Sequence, residues 1–459
     1  MIAPKSIIKN GNVNGKRNNH NVKHKNNAYV SSPKIRRVFV IGVGMTPFTR
    51  PGLDLTIDYP NLVEVAVKGA LADAHLQYGS VQFAAAGYVF GDSTCGQRSL
   101  YPLGMTGIPI VNVNNNCSTG STALATAASA LQTGRYDCVL AVGFEKMERG
   151  ALGAKYRDRV APMDRHVAVL SEMQAEGLAP APLTAQLFAA AGREHMRLYG
   201  TEERHFAAVA AKNHRHAAAN PNAQVAANRQ KEADDLKEDE EGKAEDLEAA
   251  VLRSPPVFDF LTKMQCCPTS DGAAAVLLAS EDFLRAHRHL EAQAVEILAL
   301  EMVTDTEATF AEPRSAIRLI GGEMTALAAQ AAYRRAAVTP AEVDVIELHD
   351  CFSANELITY EALGLCPIGQ AKTLVEQADN TYGGKWVINP SGGLLGKGHP
   401  LGATGVAQCV ELCWQLRGLA GRRQVTNARL ALQHNIGLGG AAVVAIYRMM
   451  HSAQSTRRE

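Results

Sequence analysis

Ile108-Pro109-Ile110-Val111-Asn112-Val113-Asn114-Asn115-Asn116-Cys117-Ser118-Thr119-Gly120 carries the reading of the fold. The apolar segment Ile108 to Val113 reads as a buried strand. Ser121 to Leu131, rich in Ala and other small residues, reads as a helix. Cys117 therefore sits at a strand-to-helix junction. Unpaired N–H groups and the positive end of the helix dipole lie beside it. That environment is expected to favour the thiolate, which is the nucleophilic form of cysteine. A lone cysteine in such a turn is more often a small buried hydrophobe. Partners elsewhere in the chain must decide between the two readings.

Working outward, strand and helix signals alternate. Arg37 to Gly42 reads as a first strand, Asn61 to Ala74 as an amphipathic helix, and Ala86 to Asp92 and Asp137 to Gly143 as further strands. Gly42-Val43-Gly44 lacks the third glycine of a dinucleotide fingerprint and is followed by Pro47, so that reading is rejected. From about 145 to 256 the strands give way to helical, polar sequence, read as an inserted, mostly helical loop domain. Within it, Gln230 to Glu248 carries ten acids and three lysines, a solvated or mobile run. Ala273 to Ser280 is again a buried strand. Cys266 and Cys267, just before it, read as packing residues. From Ala294 the pattern restarts. Val295 to Ala299 echoes Val38 to Gly42, and Val345 to Asp350 echoes Tyr88 to Asp92. Gly392 to Gly405 opens a helix as Cys117 opens its own, and Leu430 to Tyr447 holds two strands joined by a Gly-rich turn. A duplicated α/β unit follows, two halves sharing a central helical layer. The expected division is a basic, Asn-rich disordered extension over 1–35, a first half over 36–285 with the insert at about 145–256, a second half over 286–450, and a tail over 451–459.

Composition excludes several classes. The 459 residues are 46% hydrophobic and 20% charged, ordinary for a globular protein. Lys+Arg and Asp+Glu both number 46, so no charge excess asks for nucleic acid or an anionic membrane. Nine cysteines without a Cys-x-x-Cys pair do not form a disulfide framework. No run approaches a membrane span. The first 37 residues hold nine Lys or Arg and no acid, which resembles a mitochondrial transit peptide. Mitochondrial localisation is the expectation, with peroxisome or cytoplasm as alternatives; the C-terminal Ser-Lys-Leu type of peroxisomal address is missing.

Three stretches could partner Cys117. They are His349-Asp350-Cys351-Phe352, the Gly-rich run Asn389 to Gly405 with Gly398-His399-Pro400, and Gln433-His434-Asn435-Ile436-Gly437. The Gly-rich run has the wrong spacing for a phosphate-binding loop. It delivers His399 to a helix N-terminus, where the dipole keeps imidazole neutral. Neutral imidazole can take a proton from a thiol or donate Nε2–H to an oxyanion. A zinc site built from Cys117, His349, Cys351 and His399 would need an unusual two-residue ligand spacing, so no metal is expected.

Together these motifs resemble the thiolases, and within them the sterol-carrier-protein type. Asn116 to Gly120 is similar to the nucleophile motif, His349 to Phe352 to that subfamily's tetrapeptide, and Gly398 to Pro400 to the catalytic His motif. The resemblance covers roughly Arg37 to Met449. It implies a five-layer αβαβα fold and a homodimer with sheet edges paired. Most thiolases carry a second cysteine in a Cys-x-Gly motif. Here that position is Asn435, and the resemblance implies that Cys351 supplies the thiol instead. The lipid-transfer domain that some relatives append is not expected, and the acidic run is longer than the family's loop.

The resemblance implies cleavage of a 3-ketoacyl-CoA by CoA, or the reverse condensation, through an acyl group on Cys117. His399 would be base and oxyanion donor, Cys351 acid and base, and His349 an oxyanion donor. The N–H groups of Cys117 and Gly437 would hold the second oxygen. CoA is a substrate, and no other cofactor is implied. A ketoacyl synthase-like condensing enzyme has no use for the Cys351 thiol. A catalytically silent acyl-CoA or lipid-binding homologue would not be expected to keep the full residue set.

Overall fold

The computed structural model describes residues 35–450, except 149, 151–152, 154–155, 157, 175–176 and 226–245. The first half holds β1 (Val38–Met45), α1 (Tyr59–Asp73), β2 (Phe83–Gly87), β3 (Ile110–Val113), α2 (Thr119–Gln132) and β4 (Cys138–Glu145). The inserted segment carries α3 (Leu183–Tyr199), α4 (Glu203–Ala217) and a small antiparallel pair, β5 (Pro256–Phe258) and β6 (Leu261–Thr262). The chain then returns to the sheet with β7 (Gly272–Ser280). The second half adds β8 (Val295–Val303), α5 (Gly322–Ala336), β9 (Val345–Glu347), α6 (Ser353–Ala362), β10 (Val387–Ile388), α7 (Leu401–Leu416), β11 (Leu430–Gly437) and β12 (Ala441–Met449).

The sheet order displays the duplication. It runs β3-β2-β4-β7-β1 and then β8-β12-β11-β9-β10, the same order mirrored about the β1–β8 seam. The seam is short, with Phe39 opposite Glu296 and Val40 opposite Val295. In each half the three strands farthest from the seam are parallel, and β7 or β12 is antiparallel to its neighbours. α1 covers one outer face and α5 the other, while α2 and α7 pack on each other and on the strands of both halves. These are the five expected layers. The middle layer has an apolar contact face: Ala123, Leu124, Ala127 and Leu131 of α2 and Val406, Val410, Leu412 and Cys413 of α7 are buried there. The helices of the insert pack on α6, the helix that follows Cys351.

Several boundaries differ from the sequence reading. β3 is an edge strand rather than a buried one, and Val111 is 39% exposed. Continuous apolar sequence does not tell an edge strand from a central one. The strand read over Ala86 to Asp92 lies earlier, as β2. Beyond Gly87 the backbone N–H groups of Val89 and Phe90 turn to the Glu145 carboxylate instead of a ladder. The echo with Val345 therefore aligns with Phe83. Gly42 and Gly44 lie within β1, where a Cβ would fall 2.3 Å from the carbonyl oxygens of Ala70 and Ala66 in α1. They serve close helix–strand approach. The extension, tail and acidic run fall outside the described residues, except for Ile35 and the stretch Asp246 to Glu248.

Glycine contacts fix how the two central helices meet. A Cβ on Gly143 would lie 2.0 Å from the Gly402 carbonyl oxygen, and one on Gly120 2.7 Å from the same atom. Gly143→Ala is therefore expected to lower stability by about 1–3 kcal/mol, because backbone on both sides must move. Denaturant unfolding measures this; an unchanged midpoint would refute the packing described.

Candidate active site

Asn116 takes φ 51, and this left-handed residue turns the chain sharply from β3 toward α2. Its side-chain amide donates to the Leu438 carbonyl at 3.0 Å, and the Thr119 hydroxyl donates to its carbonyl at 2.6 Å. These bonds present Cys117 at the floor of a cavity of about 1110 Å³. His349, Cys351 and His399 line the same cavity. Ligand atoms of Cys117, His349 and His399 lie within 4.8 Å of one another, and the two imidazoles meet edge to face with centroids 5.2 Å apart. Residues from three distant stretches of sequence are thus brought together. Gly437 ends β11 against the Cys117 turn, where a Cβ would strike the Asn115 carbonyl oxygen at 2.2 Å.

His399 is set up as a base. The Thr404 hydroxyl donates to the Pro400 carbonyl at 3.0 Å, so it accepts from His399 Nδ1 at 2.7 Å. The hydrogen sits on Nδ1, and Nε2 keeps its lone pair, buried and without a hydrogen-bond partner. Burial holds this imidazole neutral, down to about 3. His349 is likewise held well below the usual histidine range, by burial first and then by His399 and His434.

The expected resting thiolate at Cys117 is not supported. Burial pushes the thiol up to about 12, its own backbone N–H offsets only part of that, and Glu145 adds to the rise. The thiol points its weak donor at Asn116 Oδ1, 3.7 Å away. Cys351 is raised in the same direction by burial, then by the neighbouring thiols of Cys267 and Cys117. These shifts all favour an uncharged sulfur and imidazole at rest, with proton transfer accompanying attack.

Some site residues escaped sequence reasoning. Cys266 and Cys267 line the cavity rather than merely packing, and the Cys267 N–H donates to the Cys351 carbonyl at 2.9 Å. The Asp350 carboxylate accepts from Leu394 N at 2.6 Å, Leu395 N at 3.2 Å and Asn213 Nδ2 at 2.7 Å. It ties the Cys351 loop to the segment leading into His399. Glu145 accepts from Val89, Phe90 and Gly402 N–H groups and so caps the first turn of α7; burial raises it to about 7. The one sequence signal was position: each acid sits just after or at the end of a strand beside a glycine-rich partner.

A resting thiol has an optical signature. The ultraviolet thiolate absorbance of the protein minus that of Cys117→Ser is expected to be absent from pH 7 to about 10. The sign follows from the upward shift, since the protonated form persists until pH nears the raised value. A thiolate signal at neutral pH would contradict it.

Comparison with known proteins bears on the family and the fold. The thiolase N-terminal domain family matches residues 38–282, and the thiolase C-terminal domain-like family matches residues 315–448. Sterol carrier protein 2 of Rattus norvegicus is 56% identical over 92% of this chain and 73% of its own length. An acetyl-CoA acetyltransferase of Methanothermobacter thermautotrophicus is 33% identical over 90% of this chain and 100% of its own. The crystal structure of human mitochondrial 3-ketoacyl-CoA thiolase superposes with a TM-score of 0.63 at 19% identity, covering 91% of this chain and 100% of that one, a likeness of fold. With both domain families matched and the duplicated sheet carrying Cys117, His349 and His399 to one point, the chain belongs to the thiolase family.

Proposed function

We propose that this protein is an acyl-CoA thiolase, an acyltransferase that cleaves a 3-ketoacyl-CoA with CoA. The reading rests on one observation: Cys117, His349 and His399 converge within 4.8 Å at the floor of a cavity that Cys351 also lines. The relatives named as acetyl-CoA acetyltransferase and sterol carrier protein 2 fit an acyl-CoA or lipid-derived substrate. Phe188, Val257, Met264, Phe352 and Leu438 give the cavity apolar wall for an acyl chain. Arg50 and Lys263 add cationic lining for a phosphorylated carrier.

In this mechanism His399 Nε2 takes the Cys117 proton as sulfur attacks the 3-keto carbon. Two neutral groups become an ion pair only as the transition state forms, so no buried charge need be held beforehand. The C2–C3 bond breaks, and Cys351 protonates the departing enolate. Acetyl-CoA leaves, or propionyl-CoA from a 2-methyl-branched substrate. Cys351 then takes the proton of incoming CoA, whose thiolate lifts the acyl group from Cys117; the Cys117 sulfur leaves and recovers its proton from His399. His349 and the newly protonated His399 donate to the thioester oxygen of the enolate. The N–H groups of Cys117 and Gly437 hold the oxygen on the attacked carbon. Run backwards, the same steps join two acyl-CoA units. CoA enters as substrate, with no other cofactor.

A homodimer pairing exposed β3 edges fits the half-open Val111 surface, and the basic, acid-free start of the chain suits a mitochondrial protein. Among the described residues no helix is long and apolar enough to cross a membrane.

Acetoacetyl-CoA plus CoA tests the reading, with loss of the 3-ketoacyl thioester as the signal. Turnover is expected in the native protein and none in Cys117→Ala. Cys351→Ala is expected to keep Cys117 open to alkylation while losing about 10²–10⁴ in rate, the usual worth of a general acid–base group. A native protein that binds acyl-CoA without turning it over would favour a lipid carrier. Normal turnover in Cys351→Ala would remove that residue from the scheme.

A further inference from the structure

His349 is drawn into the site by a buried hydrogen-bond chain with a readable direction. The chain starts at the Gly405 carbonyl in α7, an oxygen that can only accept. Gln433 Nε2 approaches it at 2.7 Å, which settles which end of that amide is nitrogen. The other end, Oε1, accepts from the Tyr447 hydroxyl at 2.5 Å. Gln433 Nε2 also donates to Ser121 Oγ at 2.9 Å. Ser121, already accepting, turns its own hydrogen to Asn435 Oδ1 at 2.9 Å. Asn435 must then present Nδ2 to His349 Nδ1, 2.7 Å away. Reversing Asn435 would face Ser121 with two N–H donors and leave a buried hydroxyl without an acceptor. Gln433, Asn435 and His349 are essentially fully buried, so water does not compete for these bonds.

We propose that Asn435 is a positioning residue that holds His349 as its Nε2–H tautomer. An amide donating to Nδ1 requires a lone pair there, which puts the ring hydrogen on Nε2. His349 is thereby a fixed neutral donor, opposite in tautomer to His399, whose Nδ1–H faces Thr404. One imidazole of the pair accepts a proton and the other offers one. This also bears on metal binding. Three atoms of Cys117, His349 and His399 are spaced as metal ligands, yet a hydrogen on Nε2 withdraws His349 from such a set unless the whole chain reverses. Gly405 leaves room for the relay, since a Cβ there would lie 2.1 Å from Ser121 Oγ and 2.8 Å from Asn435 Oδ1. The tautomer assignment stands on geometry alone; its consequence for rate rests on the thiolase reading above.

Selective [15N]histidine labelling of the full chain tests the assignment, with His349 identified by the signals lost in His349→Gln. Long-range proton–nitrogen correlation at neutral pH is expected to show hydrogen on His349 Nε2 and a bare Nδ1. In Asn435→Asp the new carboxylate accepts instead, and Nδ1 is expected to gain a proton. For thiolysis of acetoacetyl-CoA, that variant is expected to lose about 10- to 100-fold in kcat with KM within about twofold, the scale found for partners that orient a metal-bound imidazole. Its Cys117 alkylation rate should be unchanged, which a merely structural lesion would not achieve. Hydrogen on Nδ1 in the native protein, or an unaltered tautomer in Asn435→Asp, would overturn the proposal. Should the variant fail to fold, the native spectrum decides by itself. An Nε2–H signal in a protein without turnover would uphold the tautomer and retire the thiolase reading.

Discussion

Backbone touches backbone where α2 and α7 begin, and the site depends on that contact. Gly120, Gly143, Gly402 and Gly405 have no side chains to keep the two helix starts apart. Gly402 alone faces the carbonyl oxygens of Phe144 and Gly87 at 2.3 and 2.7 Å from where its Cβ would stand. A methyl group at any of these places would force apart two helices whose flanks are already packed with Ala, Val and Leu. Duplication supplies the symmetry that makes the meeting possible. Each half contributes one central helix, and each helix brings one reactive group at its first turn: Cys117 before α2 and His399 before α7.

Burial then decides the chemistry. Helix N-termini favour anions, worth about 0.3–1 kcal/mol near a surface. At Cys117 desolvation outweighs that and raises the thiol, whereas at His399 the helix end and desolvation act together to lower the imidazole. The protein instead places its fixed charges one shell away. The buried Lys212 ammonium pairs with Glu356, in the helix that follows Cys351. Lys397 and Glu347 form a second buried pair at 3.4 Å under the segment that delivers His399. Removing one partner of such a pair costs about 3–5 kcal/mol, because the other is left uncompensated. These pairs hold loops in place, while the reacting atoms stay neutral until substrate is present.

Much of this was legible in the sequence. Period and restart carry the duplicated α/β plan, and the motifs around Cys117, His349, Cys351 and His399 point to one site. What failed has physical causes. Val111 looked buried because an apolar edge strand and a central strand have the same local pattern. Cys117 looked like a thiolate because the helix end is local, whereas the desolvation that opposes it comes from residues far along the chain. Cys267 looked like packing because nothing nearby in sequence shows that its turn faces the cavity. The relay through Ser121, Gln433 and Asn435 crosses between the halves, and no spacing rule links a helix in one to a strand in the other.

The central claim is that Cys117 itself carries the acyl group. Brief incubation with acetoacetyl-CoA in the absence of free CoA, followed by acid quench, digestion and mass spectrometry, examines this directly. The expected result is an acetyl group on the peptide that contains Cys117, discharged when CoA is added before the quench. Substrate consumed with the acyl group on Cys351 or Cys267, or with no acylated peptide at all, would contradict it.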